Sequence, residues 1–121
     1  MITISYLSLG KSDKLIKEAE LDLEAGNFNK CVSASYFSAR RAIEKLLERM
    51  HMNIPRRDDK LANVLRHLGY TEEAVLMLYL YEMRKKADYT DYEVTVEEAR
   101  KALEIAVRIR EVVIRIMTQQ A

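Results

Sequence analysis

The scarcity of chain-breaking residues is the strongest constraint on how this sequence folds. Only three glycines and one proline occur in 121 residues, so the chain has few places where it can turn sharply. Charged residues make up 32% of the sequence and hydrophobic residues 49%, which is the balance of a globular protein. Few turns and many charges predict a small number of long amphipathic helices in one domain spanning residues 1–121.

Apolar periodicity and capping residues place the first two helices. The first is predicted over about residues 12–25, with Ser12 as its N-cap and Gly26 as its left-handed stop. The second begins at a cap on Asn27 and runs to about His51. Its apolar positions follow one another at steps of four and three residues, which is the spacing of a helix-bundle seam. They are Val32, Tyr36, Ala39, Ile43, Leu46 and Met50.

The fourth predicted helix is apolar on nearly every side. A short third helix is expected over about residues 58–68, and Thr71 then caps the fourth. The run Ala74–Tyr81 (AVLMLYLY) is wholly apolar, and its preceding cap and its leucine and methionine content favour a helix over a buried strand. Such a helix must be covered on nearly all sides, so we expect a second subunit and a homodimer.

The fifth helix follows a break in the pattern at Asp88–Val94. Thr95 and Glu98 are spaced as a capping box, in which each side chain accepts a hydrogen bond from the backbone N–H of the other residue. The helix is expected to continue to about Thr118. These elements predict an all-α protein, an up-and-down antiparallel four-helix-type bundle with one additional short helix.

Bulk charge and cysteine content narrow the classes of function. The net charge of +1 creates no global field that would attract nucleic acid, so such a contact needs a local basic patch. No run approaches the ~18 apolar residues of a membrane span, and Met1–Gly10 lacks the features of a signal peptide. Cys31 is the single cysteine, which fits a cytoplasmic protein. Without a phosphate-binding glycine loop or zinc-spaced Cys/His cluster, no cofactor or metal is indicated.

The segment Tyr81–Tyr92 (YEMRKKADYTDY) contains the candidate functional residues, because cations followed closely by tyrosines can bind a phosphate and stack a base. A structural role is also physically reasonable. Basic residues favour a helix C-terminus, Arg84 and Asp88 are four residues apart and can pair, and tyrosine rings can pack on the end of the bundle. From these features alone the structural role is favoured.

Three segments resemble the HEPN domain family (higher eukaryotes and prokaryotes nucleotide-binding), in particular its small stand-alone prokaryotic members. They are Asp22–Asn29 (DLEAGNFN), Ser35–Leu47 (SYFSARRAIEKLL) and Met83–Ala99 (MRKKADYTDYEVTVEEA). Their order and spacing extend the resemblance over about residues 14–110. The resemblance implies a helical bundle, a homodimer and an association with a minimal nucleotidyltransferase, often as a toxin–antitoxin pair in which the HEPN protein is the toxin.

Many members of that family are metal-independent ribonucleases in which two copies meet to make one RNA-cleaving cleft. Their signature is an arginine, four to six intervening residues and a histidine, and Arg84 matches the arginine. Tyr89 follows after four intervening residues, and no histidine occurs after His67. Histidine titrates near ~6.5 and tyrosine near ~10, so tyrosine is a poor general base at neutral pH. A tyrosine can still stack on a base or, as in some relatives, be modified by the partner enzyme, for which Tyr89 and Tyr92 are candidates.

Two functions follow from the residues and the resemblance. The first is a HEPN-like homodimer that binds RNA or nucleotide in a dimer cleft, as the toxin-like partner of a minimal nucleotidyltransferase, with Arg-x4-Tyr in place of the ribonuclease motif. The candidate catalytic residues are Arg84 and Tyr89, and the candidate nucleotide- or RNA-binding residues are Lys85, Lys86, Asp88 and Tyr92. The alternative is a non-catalytic nucleotide-binding or protein-interaction module with no enzymatic activity, and a third hypothesis is a purely structural bundle that shares the pattern.

Overall fold

A computed structural model describes residues 8–119 of the chain. Five helices form this part of the protein: α1 (Lys11–Ala25), α2 (Phe28–Arg49), α3 (Asp58–His67), α4 (Thr71–Tyr89) and α5 (Val96–Gln119). The predicted all-α bundle is therefore confirmed. The prediction that Met1–Gly10 is not a signal peptide falls mostly on residues 1–7, which lie outside the described residues.

Contacts between the helices define their directions. The Ser12 hydroxyl of α1 donates to the carbonyl oxygen of Ser38 in α2 at 2.8 Å, and α1 joins α2 through a two-residue turn at Gly26. Asn29, near the start of α2, donates to the carbonyl oxygen of Ala87, near the end of α4, at 3.1 Å. Helices α1 and α4 therefore run antiparallel to α2, and α3 is the additional short helix between α2 and α4.

The core lies between α2 and α5, with α1 on one side and α4 on the other. The predicted seam of α2 is buried from Val32 to Leu46, while Met50 at its end is only half-buried. From α5 the chain buries small and branched side chains that let the two helices approach closely. They are Ala99, Ala102, Ala106, Ile109 and Val113.

Two of the predicted caps are wrong. Helix α1 begins at Lys11, so Ser12 lies inside its first turn. Ser12 is fully buried, and its hydroxyl bonds to Ser38 across the helix interface instead of capping. Helix α4 begins at Thr71 itself, which therefore does not cap it. Asn27 occupies the cap position of α2, although its side chain makes no capping hydrogen bond.

The start of α5 matches the predicted capping box. The backbone N–H of Thr95 donates to the Glu98 carboxylate at 3.0 Å, and the backbone N–H of Glu98 donates to the Thr95 hydroxyl at 3.1 Å. Helix α4 continues to Tyr89, so the break between α4 and α5 is shorter than the predicted Asp88–Val94. The two additional helical residues keep Arg84 and Asp88 on one face of α4.

Helix α4 is fully buried along one stripe only, while Leu76, Leu78, Tyr79 and Tyr81 are partly buried against the core. Its buried residues recur every three or four positions, as Ala74, Met77, Leu80 and Met83. Val75 lies outside this stripe, and 56% of its surface is exposed. The subunit expected to cover the other side stays a prediction. Among the helices of residues 8–119, none is long and apolar enough to cross a membrane.

Candidate functional site

Arg84 is held in place by an acidic partner on its own helix. Its Nε donates to Oδ2 of Asp88 at 2.9 Å, which is the pairing expected for residues four apart on a helix. The Ser33 hydroxyl of α2 donates to the same carboxylate oxygen at 3.1 Å. The Asp88 carboxylate therefore connects α2 to the end of α4 and fixes the orientation of the arginine.

Three aromatic rings surround the guanidinium group of Arg84. Its Cζ lies 4.9 Å from the ring centroid of Phe37, 5.0 Å from that of Tyr89 and 5.3 Å from that of Tyr36. These distances are within the range of cation–π attraction. The side chain remains 20% exposed, and among the described residues its two terminal nitrogens make no hydrogen bond. Arg84 is thus oriented by the protein while part of its guanidinium faces solvent.

Tyr36 is anchored behind Arg84 by a buried carboxylate. Its hydroxyl donates to both oxygens of Asp58, at 2.8 Å each, and Arg40 Nη1 donates to the same carboxylate at 3.1 Å. Burial, followed by the hydrogen bond to Asp58, raises the pKa of the Tyr36 hydroxyl well above its usual value. Tyr36 is therefore a neutral donor at any physiological pH, and its ring has a fixed position.

The other two candidate cations point toward different partners. Lys85 pairs with Glu82 at 3.1 Å and lies 4.6 Å from the Tyr81 ring centroid, and the hydrogen bond to Glu82 raises the pKa of the lysine. The Lys86 ammonium lies 5.0 Å from the Tyr92 ring centroid. Successive residues on a helix diverge by about a quarter turn, so one chain does not gather the three cations around a single point.

Tyr92 is connected to the start of α5. Its hydroxyl donates to both carboxylate oxygens of Glu98, at 2.8 and 2.9 Å, and this bond raises the pKa of Tyr92. The pKa of Glu98 is lowered, chiefly by the backbone N–H of Thr95 that it caps. One carboxylate thus serves both the capping box and the tyrosine.

Tyr89 follows Arg84 after four intervening residues. It is 69% exposed, so it does not pack on the end of the bundle as the structural explanation expected. Its one aromatic contact among the described residues is with the guanidinium of Arg84. The exposed ring leaves a face available for a planar ligand.

Asn29 fastens the segment that follows Arg84 onto α2. Its side-chain amide donates to the carbonyl oxygens of Ala87 at 3.1 Å and Tyr92 at 2.9 Å. Its side-chain oxygen accepts from the backbone N–H of Val94 at 3.0 Å. This single side chain therefore satisfies three backbone groups and sets the path of the chain from α4 to α5.

An open groove of about 660 Å³ lies beside the Arg84–Asp88 pair, between α1, α2 and the end of α4. Its apolar lining includes Leu15, Leu21 and Phe37, and its charged lining consists of Lys30 and three carboxylates, those of Glu18, Asp22 and Asp88. Leu21 is 64% exposed. Because Phe37 and Asp88 also contact Arg84, the groove and the arginine form one continuous surface.

Several residues of this site were not predicted from the sequence. They are Asn29, Ser33, Tyr36, Phe37 and Asp58. A signal did exist for three of them, because Asn29 lies in the first segment of the resemblance and Tyr36 and Phe37 lie in the second. The three segments, which are far apart in the chain, meet around Arg84 and the loop that follows it.

A comparison with family models gives one match. The model described as the HEPN domain matches residues 6–117 of the 121-residue chain. The matched span includes every residue of the site described above. A comparison with curated proteins found no match.

Proposed function

The chain belongs to the HEPN domain family, and from this premise we propose that it is a homodimer that binds RNA or a nucleotide in a cleft containing Arg84 of both subunits. Membership of the family supports a nucleotide- or RNA-related function in general. The observation that supports binding at Arg84 is the position of its side chain. Asp88 and three aromatic rings hold this side chain in place, and it is still partly exposed.

A fixed guanidinium is well suited to a phosphate group. Arginine presents several donors in one plane and can bind two phosphate oxygens at once. Because Asp88 and the rings of Tyr36 and Phe37 already orient it, little side-chain freedom is lost on binding. The exposed ring of Tyr89 supplies a stacking surface for a base next to that phosphate. Lys86 adds a second positive charge two residues further along the helix, whereas the charge of Lys85 is paired with Glu82.

The dimer is proposed from the family resemblance, and the exposed Val75 lies on the opposite face of α4 from Arg84, since nine residues on a helix turn through about 180°. A symmetric dimer repeats each contact, and one that brings the Arg84 faces of two chains together would place two copies of Arg84 in one cleft. Such a cleft would hold adjacent phosphates of one strand.

The missing histidine favours binding without efficient cleavage. Cleavage through a ribose hydroxyl needs a general base or acid that works near neutral pH, and the position after Arg84-x4 is a tyrosine. Oδ2 of Asp88 already accepts from Arg84 and Ser33, which holds the carboxylate in place beside the arginine. The second candidate function is therefore a binding module without enzymatic activity, and Tyr89 is the observation that favours it.

The partner follows from the family resemblance. We propose that this protein is the toxin-like member of a pair with a minimal nucleotidyltransferase. A nucleotidyltransferase reading frame adjacent to this one, whose product co-purifies with the chain, is the expected result. If the neighbouring frames encode no such enzyme, the paired system is rejected while RNA binding remains testable.

The binding proposal is tested with a fluorescently labelled single-stranded RNA in the presence of a metal chelator. Arg84→Ala should weaken binding by about tenfold or more, since a charge-assisted contact contributes roughly 1.5–3 kcal/mol. Arg115→Ala is the matched control, because Arg115 is an exposed arginine of α5 distant from the site. Equal loss in both variants would mean that binding is general electrostatic attraction, which contradicts the proposal.

Catalysis is tested by restoring the histidine. We expect the natural chain to bind RNA with little cleavage, and Tyr89→His to gain metal-independent cleavage that disappears again in Arg84→Ala/Tyr89→His. Cleavage by the natural chain that depends on Arg84 would instead reject the non-catalytic alternative and show that a residue other than histidine serves as the acid or base.

A further inference from the structure

We propose that a second groove, formed by the loop between α2 and α3 and by one face of α3, binds an acidic amphipathic segment of a partner protein. It has a volume of about 550 Å³, within the usual range of ligand sites. It shares no lining residue with the groove beside Arg84, so this inference does not depend on the proposed RNA cleft.

The floor of this second groove is apolar. Met52, Pro55, Val64 and Leu68 line it, and all four are only partly buried. Val64 and Leu68 are four residues apart and therefore lie on one face along α3. A partially exposed apolar strip of this kind gains free energy when an aliphatic or aromatic side chain displaces its water.

The rim of the groove is basic. Arg56, Arg57 and Lys60 all line it, with His67 at its far end. Arg57 is held by Asp59 at 2.7 Å, while neither Arg56 nor Lys60 forms an ion pair within residues 8–119. Two uncompensated cations around an apolar floor complement a segment that carries carboxylates on both sides of an apolar anchor.

The wall of the groove is held in a fixed conformation. Arg40, whose side chain is only 12% exposed, donates through Nη2 to the carbonyl oxygen of Pro55 at 2.6 Å and through Nη1 to Asp58 at 3.1 Å. These bonds tie the loop and the first residue of α3 to α2. A partner therefore meets a preformed surface, which lowers the entropic cost of binding.

The absence of aromatic side chains favours a protein over a nucleic acid here. None of the nine residues that line this groove has an aromatic ring other than the imidazole of His67, which is at its edge. Single-stranded nucleic acids depend on rings for base stacking, whereas a helix or extended peptide with aliphatic anchors needs only the apolar floor.

The test uses fluorescent peptides of about twelve residues, long enough for anchors at i, i+3, i+4 and i+7. The first combines glutamates with leucine anchors, the second replaces the glutamates by lysines, and the third replaces the leucines by serines. A labelled single-stranded RNA is the fourth probe.

The protein variants change the rim and the floor separately. Arg56→Glu/Lys60→Glu alters the rim, and Lys14→Glu/Lys17→Glu is the control with the same change of charge on exposed positions of α1. Val64→Gln alters the floor.

The glutamate–leucine peptide should bind the natural chain and the α1 control equally. The rim variant should bind it about tenfold more weakly, and the floor variant should also lose affinity. No binding at about 1 mM, or equal binding of the serine peptide, overturns the proposal. RNA binding that is lost in the rim variant and kept in Arg84→Ala also overturns it, because it assigns the groove to nucleic acid. If circular dichroism shows that the floor variant is unfolded, the comparison between the rim variant and the α1 control still tests the proposal, because both change only exposed residues.

Discussion

The hydroxyl of Tyr36 donates to both carboxylate oxygens of Asp58 at 2.8 Å, which joins the middle of α2 to the first residue of α3. The same tyrosine ring lies 5.3 Å from the Cζ atom of Arg84. Asp58 is only 8% exposed, and the donors that Tyr36 and Arg40 supply offset the cost of burying its carboxylate. The position of α3 and the orientation of Arg84 therefore depend on one buried hydrogen-bonded group.

Removing the Tyr36 hydroxyl should destabilise the fold. Tyr36→Phe keeps the ring beside Arg84 and takes one donor away from the buried Asp58, so we expect the free energy of unfolding to fall by about 1–3 kcal/mol. Urea denaturation measures this change. Tyr79→Phe is the matched control, because Tyr79 is half-buried and its hydroxyl makes no hydrogen bond within the described residues. Similar losses in the two variants would show that the Asp58 bond contributes nothing specific.

The stability contributed by Tyr36 should also disappear at high pH. Burial and Asp58 raise the pKa of this tyrosine above its ordinary value of 10.0, so the folded state holds the proton more tightly than the unfolded state. The contribution is complete below about pH 10 and decreases as the pH rises toward the raised folded pKa. The difference in unfolding free energy between the natural chain and Tyr36→Phe should therefore stay constant up to about pH 10 and narrow as the pH rises further. A difference that widens over this range would contradict the assignment.

Asn29 should matter far more than the neighbouring Asn27. Asn29→Ala removes three hydrogen bonds to the backbone of residues 87–94 and should lower the unfolding free energy by about 1–3 kcal/mol. It should also increase amide hydrogen exchange between residues 90 and 95. Asn27→Ala should change stability by about 0.5 kcal/mol or less, since the Asn27 side chain makes no capping bond. Equal effects of the two substitutions would mean that the asparagine contacts are not formed in solution.

The capping box at the start of α5 should require a hydroxyl at position 95. Thr95→Ala removes the acceptor of the Glu98 backbone N–H and should destabilise the protein by about 1 kcal/mol. Thr95→Ser retains the hydroxyl and should stay close to the natural chain in thermal unfolding. If serine and alanine are equally destabilising, the loss comes from packing of the threonine methyl group and not from capping.

Helix positions were largely predictable because they depend on local patterns. The apolar seam of α2 and the capping box of Thr95 and Glu98 each depend on residues that are close together in the sequence, and both are present in the structure. Ser12 and Thr71 were assigned as caps because serine and threonine often cap helices. Ser12 does not cap α1, because its hydroxyl makes a tertiary hydrogen bond to Ser38 in α2 instead.

The candidate site was only partly predictable. Arg84 and Asp88 are four residues apart, so their pairing follows from helix geometry alone. The rings of Tyr36 and Phe37 reach Arg84 only because α2 and α4 pack antiparallel, and no local pattern contains that information. The role of Asp58 was still harder to predict, since its partner Tyr36 lies on another helix. Their contact depends on how α2 and α3 pack, which no local pattern specifies.

We propose that two chains hold one RNA strand between two copies of Arg84, and analytical sedimentation of a labelled single-stranded RNA measures this stoichiometry. With the natural chain we predict a complex whose mass equals two chains of 14.1 kDa plus one RNA, and with Arg84→Ala a protein dimer that leaves the RNA free. A complex of one chain with one RNA, or a complex of unchanged mass and affinity in Arg84→Ala, would rule out a cleft shared by two arginines.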